Sequence, residues 1–190
     1  MTLLRLSKPA LRVLGIAESF VRERPRSVLA GVVMRGDLRV DGLAYAQATV
    51  GGDDATQAVL QIYRRLDRTD VNGLLLSGAV ISWFNIIDLP EVFEKTQKPL
   101  ISLTYEESPG LEKYLREYFP EAEEKLRLYR CLGEREMVRL KTGYEVYIRA
   151  LGATAEDARV LLNRFTLDGR VPEPVRVARL AARASLRAEE

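Results

Sequence analysis

The chain contains no histidine. Histidine is the usual general base near neutral pH and the commonest transition-metal ligand. Its absence excludes Ser-His-Asp and Cys-His mechanisms. Cys131 is the only cysteine, so neither an internal disulfide nor a thiolate metal cluster can form. A zinc site would have to be built from carboxylates and a single thiol, a poor donor set for that ion. A metal bound here is expected to be a hard ion such as Mg²⁺, held by Asp and Glu. Cys131 itself sits in Leu128-Tyr129-Arg130-Cys131-Leu132 and is expected to be a partly buried structural thiol.

Long hydrophobic runs are also missing. The apolar stretches fall well short of the roughly 18 residues that span a membrane. The opening Met1-Thr2-Leu3-Leu4-Arg5-Leu6-Ser7-Lys8-Pro9 has neither a long apolar stretch nor a small-residue cleavage site, and does not read as a signal peptide. A soluble cytoplasmic protein with no membrane partner is the expectation. Two nucleotide-binding signatures are absent. Lys141-Thr142-Gly143 lacks the glycines of a phosphate loop, and no Gly-x-Gly-x-x-Gly occurs, which disfavours nucleotide hydrolysis and dinucleotide redox chemistry. Net charge is only +2, so any charged partner must be recognised by a local patch.

The 190 residues suit one domain with a sizeable core, covering 1–190. Arginine supplies 23 of the 29 basic residues, while Asn, Gln, Cys and Met are scarce. That balance suggests a thermophile, a GC-rich genome, or both. Apolar runs at Val13–Ala17, Ser27–Arg35 and Val40–Val50 read as three closely spaced strands, favouring antiparallel hairpins. Asp54 with Gln57 fits a capping box, followed by the helical face Ala55, Val59, Ile62, Tyr63 and Leu66. Val71–Leu76 and Pro99–Leu103 read as further strands, separated by a short helix at Asp88-Leu89-Pro90-Glu91. Gly110 to Leu132 reads as helix broken at Pro120. Met137 to Leu151 is β-rich. Thr154, with Asp157 three residues on, opens a helix to Phe165, and Pro172-Glu173-Pro174 opens a last helix to about Arg187. The expected architecture is α/β, a mixed sheet of about five or more strands with helices on both faces.

Four segments carry a resemblance. They are Arg12-Val13-Leu14-Gly15-Ile16-Ala17-Glu18-Ser19-Phe20, Gly51-Gly52-Asp53-Asp54-Ala55-Thr56, Leu76 to Asp88 with its Trp83-Phe84-Asn85-Ile86-Ile87-Asp88, and Gly169 to Ala178 with its Pro172-Glu173-Pro174-Val175-Arg176. In this order they resemble the archaeal domain-of-unknown-function family ninety-nine, which is similar to endonuclease V. The resemblance implies a ribonuclease H-like fold. It also implies a metal-binding Asp where this chain has Ala17, followed here by Glu18. It implies Asp where this chain has Ser77, a Val-Asp-Gly stretch where it has Val50-Gly51-Gly52, and a late histidine that it lacks.

Two-metal phosphodiester hydrolysis needs several carboxylates converging on a pair of ions. Glu18, Asp53, Asp54 and Asp88 are the carboxylates left to supply oxygens at the sheet's end. A rebuilt Mg²⁺ site would use Glu18, Asp54 and Asp88. Asp54 and Asp88 also read as helix caps, and Glu18 as a solvated loop residue. Trp83 and Phe84 beside Asn85 read either as a stacking platform for a base or as a hydrophobic plug. Arg176, Arg179, Arg183 and Arg187 fall within roughly an 80° arc of the last helix. Val177, Leu180, Ala181 and Ala184 form the neighbouring apolar arc. The arginines read as a phosphate-tracking ridge or as a solvated face paired in part with Glu189 and Glu190. Arg22, Arg24, Arg26 and Arg35 add basic surface. The leading expectation is a non-catalytic endonuclease V-like protein, a pseudoenzyme binding DNA, RNA or a nucleic-acid-handling protein partner, with no cofactor. The alternatives are a Mg²⁺-dependent endonuclease with the rebuilt site and a protein-interaction scaffold.

Overall fold

The computed structural model describes Leu4 and residues 6–188. The chain begins with an antiparallel meander of β1 (Arg12–Ser19), β2 (Arg26–Arg35) and β3 (Val40–Thr49). β1 and β2 are apolar almost throughout because helices cover both of their faces. β3 lies at an edge and alternates as expected: Ala46 and Ala48 are buried, while Leu43, Tyr45 and Gln47 are exposed. α1 (Ala55–Leu66) then leads into β4 (Gly73–Ser77), which lies parallel to β1. A small hairpin of β5 (Val80–Ile81) and β6 (Asn85–Ile86) follows, where the sequence suggests only a loop. α2 (Leu89–Thr96) leads to β7 (Leu100–Thr104), parallel to β4. α3 (Glu112–Tyr118) and α4 (Glu123–Cys131) flank the break at Pro120. β8 (Glu136–Arg139) and β9 (Glu145–Leu151) form an antiparallel hairpin, and β9 pairs with β7. α5 (Ala155–Phe165) and α6 (Glu173–Ala188) close the fold.

The seven-stranded sheet runs β3-β2-β1-β4-β7-β9-β8. Strand alternation divides the core in two. Leu14, Ile16, Leu74 and Leu76 face α1 and α2, whereas Val13, Leu75, Ile101 and Leu103 face α5 and α6. The parallel strands β1, β4 and β7 end at one rim of the sheet. Gly15 sets the approach of α6, since a Cβ there would stand 2.5 Å from the backbone carbon of Pro174.

Three local expectations are corrected. The stripe that α6 buries is Val175, Ala178, Ala182 and Leu186, and Leu180 is exposed. The two arcs match in composition, each with one Val, one Leu and two Ala, so periodicity alone cannot choose between them; the close packing of Pro174 against Gly15 fixes which one meets β1. Cys131 is exposed, because it falls about 140° round α4 from the buried Leu126. Asp54 precedes α1 but makes no side-chain capping bond to it. The Thr154–Asp157 capping box is present, and Asp88 caps α2 by accepting from the Glu91 amide at 2.9 Å.

Candidate functional site

At the rim, Ala17 ends the apolar stretch of β1 and faces the α6 side, as does Ser77 at the end of β4. Side chains alternate along a strand, so Glu18 points to the opposite face. There it is half-buried and accepts from the Ser82 amide at 3.4 Å, with Ser82 Oγ at 3.5 Å. Burial raises its pKa, against the lowering pull of Ser82 and Arg179. The space beside it measures about 10 Å³ and is lined mainly by apolar side chains, Ile16, Leu29, Leu76, Ile81 and Ile87, with Ser77 and Gly78 at its edge. One water needs at least that much room and polar partners on several sides.

The remaining carboxylates are held apart. Asp54 turns back to the end of β3, accepting from the Thr49 amide at 2.8 Å, Thr49 Oγ1 at 2.8 Å and Asn85 Nδ2 at 2.8 Å. Its pKa is lowered because these bonds outweigh burial. Asp88 is occupied as the α2 cap. Asp53 is exposed and pairs with Lys125 at 2.7 Å. Among the described residues no group of three His, Cys, Asp or Glu could hold a metal ion. Glu18, Asp54 and Asp88 are thus not brought together, and the rebuilt site is not formed. A two-metal centre does not fit these residues: Ala17 offers no oxygen, Glu18 is on the wrong face, and a guanidinium lies against Ser77.

Asn85 is fully buried. It donates to the Thr49 carbonyl and Asp54, and accepts from the Ala55 amide at 2.9 Å. It caps α1 in place of Asp54 and ties β3, β6 and α1 together, so its amide is not presented to a base. Ser82, Trp83 and Phe84 all have positive φ (45°, 57° and 65°), a costly conformation for residues with a Cβ. Lys125, only 4% exposed, anchors this turn by donating to the Phe84 and Gly52 carbonyls. Trp83 and Phe84 pack with Tyr118 and Phe119, and the Arg22 guanidinium covers Trp83 at 4.2 Å. Both aromatics are half-buried, closer to the hydrophobic plug than to an open platform.

Beyond the heads of β4 and β7 lies a cavity of about 520 Å³, walled by Ser77, Tyr105, Tyr129 and four arginines, Arg135, Arg149, Arg170 and Arg179. Arg179 donates to Ser77 Oγ at 2.9 Å, and it and Arg170 flank the Tyr105 ring at 5.6 and 5.8 Å. Arg135 donates to Thr104 Oγ1 and to the Glu106 and Ser108 carbonyls. Arg149 donates to the Gly133 carbonyl at 2.9 Å. Its pKa is pushed down by burial, with the charge of Arg135 adding to the effect. Of the four, only Arg170 has a carboxylate at ion-pair distance, the exposed Glu106 at 3.5 Å; Glu18 feels Arg179 from farther off. Among the described residues no ion pair involves Arg135, Arg149 or Arg179.

Of the expected ridge, Arg179 alone enters this cavity. Arg176 is paired with Glu173, and Arg183 and Arg187 are exposed on α6. Glu189 and Glu190 lie outside the described residues. Of the other basic residues, Arg35 is paired with Asp37, Arg26 with Asp54 at 3.3 Å, and Arg24 donates to the Leu186 carbonyl. Arg135, Arg149 and Arg170 were not singled out by the sequence, since each comes from a different element and no spacing links them.

The family model described as Endonuclease dU matches residues 9–186. The chain belongs to the Endonuclease dU family. This member is 38% identical over 170 residues to a "UPF0215 protein" of Pyrobaculum calidifontis, covering 89% of this chain and 93% of that protein. A crystal structure of a protein of unknown function from Archaeoglobus fulgidus is similar at a TM-score of 0.80 and 27% identity, over 92% of this chain and 98% of that one. Endonuclease V of Ciona intestinalis, solved with a 24-mer DNA containing an inosine followed by a ribo-adenosine, superposes at a TM-score of 0.64 and 13% identity. That match covers 95% of this chain and 87% of the other. The archaeal family resemblance and the ribonuclease H-like fold that it implied are both shown. No helix among the described residues is long and apolar enough to cross a membrane.

Proposed function

We propose that this Endonuclease dU family member binds nucleic acid through the arginine cavity at the rim of the sheet and does not hydrolyse it by a two-metal route. The observation that carries this reading is the convergence of four guanidiniums on one cavity, at the rim where Ala17 and Ser77 supply no carboxylate. Guanidiniums attract phosphate and repel the divalent ions that a nuclease of this fold would need. The likeness to a DNA-bound endonuclease V supports nucleic acid as the ligand class, and the family's description makes deoxyuridine-containing DNA the first strand to try.

The test uses labelled single- and double-stranded DNA and RNA, with and without deoxyuridine, in chelator and in Mg²⁺ or Mn²⁺. Binding is expected in chelator, with affinity falling as salt rises, and strands are expected to stay intact in either metal. The family's description favours one second reading, a metal-dependent endonuclease acting at deoxyuridine. Metal-dependent cleavage that disappears in Glu18→Gln would establish it in place of the first.

A further inference from the structure

We propose that the arginine cavity is a phosphomonoester site, seating a terminal phosphate beside Tyr105 with its nucleoside against Tyr129. The inference rests on the nucleic-acid reading for its ligand class and goes further in naming the group recognised. Charge is the first argument. Arg135, Arg149 and Arg179 touch only neutral acceptors, namely carbonyls, Thr104 Oγ1 and Ser77 Oγ. Glu18 offsets part of the Arg179 charge from outside the cavity, but holding three such cations around one cavity stays unfavourable until an anion enters. A phosphomonoester carries about −1.5 to −2 charges and three strong acceptor oxygens, which matches converging forks of N–H donors. A diester within a strand carries about one charge and suits exposed, spaced cations such as Arg183 and Arg187 on the outer face of α6.

The second argument is an orphaned donor. The Tyr105 hydroxyl is buried and makes no hydrogen bond of full geometry, although Ser77 and Arg179 stand close enough to interact with it and draw its pKa down against the larger upward push of burial. Buried polar atoms are nearly always satisfied, and a small turn of the Tyr105 ring toward the cavity would let its hydroxyl donate to a phosphate oxygen held by Arg179. Size is the third argument. About 520 Å³ lies in the range of small-ligand pockets and is roomy for a bare phosphate. Tyr129 lines the remainder and offers an aromatic surface to a base, while the Tyr105 ring is taken up by Arg170 and Arg179. Glu106 stands exposed at the rim, paired with Arg170, so its charge does not fill the centre.

The experiment measures binding of one oligonucleotide sequence to the full chain with a 5′-phosphate, a 3′-phosphate or hydroxyl ends, with a nucleoside monophosphate and its nucleoside as competitors. A phosphorylated end is expected to bind about tenfold more tightly or better than hydroxyl ends. That preference should vanish in Arg149→Gln and Arg179→Gln and persist in Arg187→Gln. Tyr105→Phe, which removes only the hydroxyl, should reduce it severalfold in a folded protein, which keeps the test open if an arginine variant does not fold. Equal affinity for phosphorylated and hydroxyl ends overturns the proposal. Direct binding of the monophosphate but not of the nucleoside, measured calorimetrically, with no oligonucleotide bound, supports the pocket with a free nucleotide as its ligand and overturns the nucleic-acid reading instead.

Discussion

At the N-terminal ends of β1 and β4, Arg12 and Arg68 lie among Asp41 and Asp70. Arg12 Nε is 2.5 Å from Asp41 and 3.3 Å from Asp70, and Arg68 is 2.7 Å from Asp70. At the opposite rim, Arg135, Arg149 and Arg179 surround a cavity and meet only neutral oxygens. The same residue type serves two ends of one sheet under different constraints. The paired end is electrostatically complete, and its charges hold β1, β3 and β4 in place. The open rim is incomplete, and its surplus positive charge is directed outward. Stability and binding should therefore separate between the two ends.

The largest expected effect comes from inverting the rim. Arg149→Glu with Arg179→Glu should weaken nucleic-acid binding by about 100-fold or more at moderate salt, as opposed charge becomes repulsive. Thermal stability should move by only a few degrees, because relief of the crowded cations offsets the lost bonds to the Gly133 carbonyl and Ser77. A binding titration and a melt on the same sample check both halves. A matching loss of stability would mean that the rim arginines are structural.

The converse change is smaller. Arg12→Ala leaves Asp41 and Asp70 facing each other with only Arg68 between them. The melting temperature should fall by about 2–6 °C, and oligonucleotide affinity should not move.

Smaller again is the acid response of that end. The Arg68 hydrogen bond, aided by the charge of Arg12, holds the Asp70 carboxyl down to about 2 against an ordinary value of 3.8. A carboxyl lowered on folding contributes stability above its unfolded pKa. That contribution is lost as pH falls from about 4 toward 2. Asp70→Asn should therefore be less stable than the parent at pH 6 and approach it near pH 2, as acid melts would record.

The comparison also marks what a linear reading can reach. The meander, the two parallel strands and the capping box of α5 were legible because each is written locally, in alternation, apolar runs and a Thr-x-x-Asp spacing. That Ala17 and Ser77 offer no carboxylate was legible too, because both stand inside recognisable segments. The cavity was not. Arg135 precedes β8, Arg149 lies in β9, Arg170 in the loop before α6 and Arg179 within α6, and only the folded sheet brings them to one place. Asn85 misled for a related reason: its neighbours Trp83 and Phe84 suggest a surface loop, but the β5–β6 hairpin turns its amide inward to the end of β3. On α6 the periodicity found the arginine arc yet could not say which alanines touch the sheet, since that depends on Gly15 and its contact with Pro174.

Glu18 gives the mildest and most discriminating change. It is the one acidic residue beside the rim that the resemblance placed next to a metal ligand, and it faces an apolar gap instead. Burial raises its pKa above the ordinary 4.5, so folding disfavours its charged form. The folded chain then binds more protons than the unfolded one between those two pKa values, and stability falls as pH rises through that window. Below it the carboxyl is protonated in both states and contributes nothing. Glu18→Gln keeps an acceptor for the Ser82 amide and removes the charge. It should raise the melting temperature by a degree or two at pH 7.5, with the gain shrinking to nothing near pH 4. A metal ligand would behave otherwise: Mg²⁺ would stabilise the parent and not the variant. Melts of both proteins with and without Mg²⁺ at pH 7.5 therefore separate a residue strained by burial from one retained for catalysis.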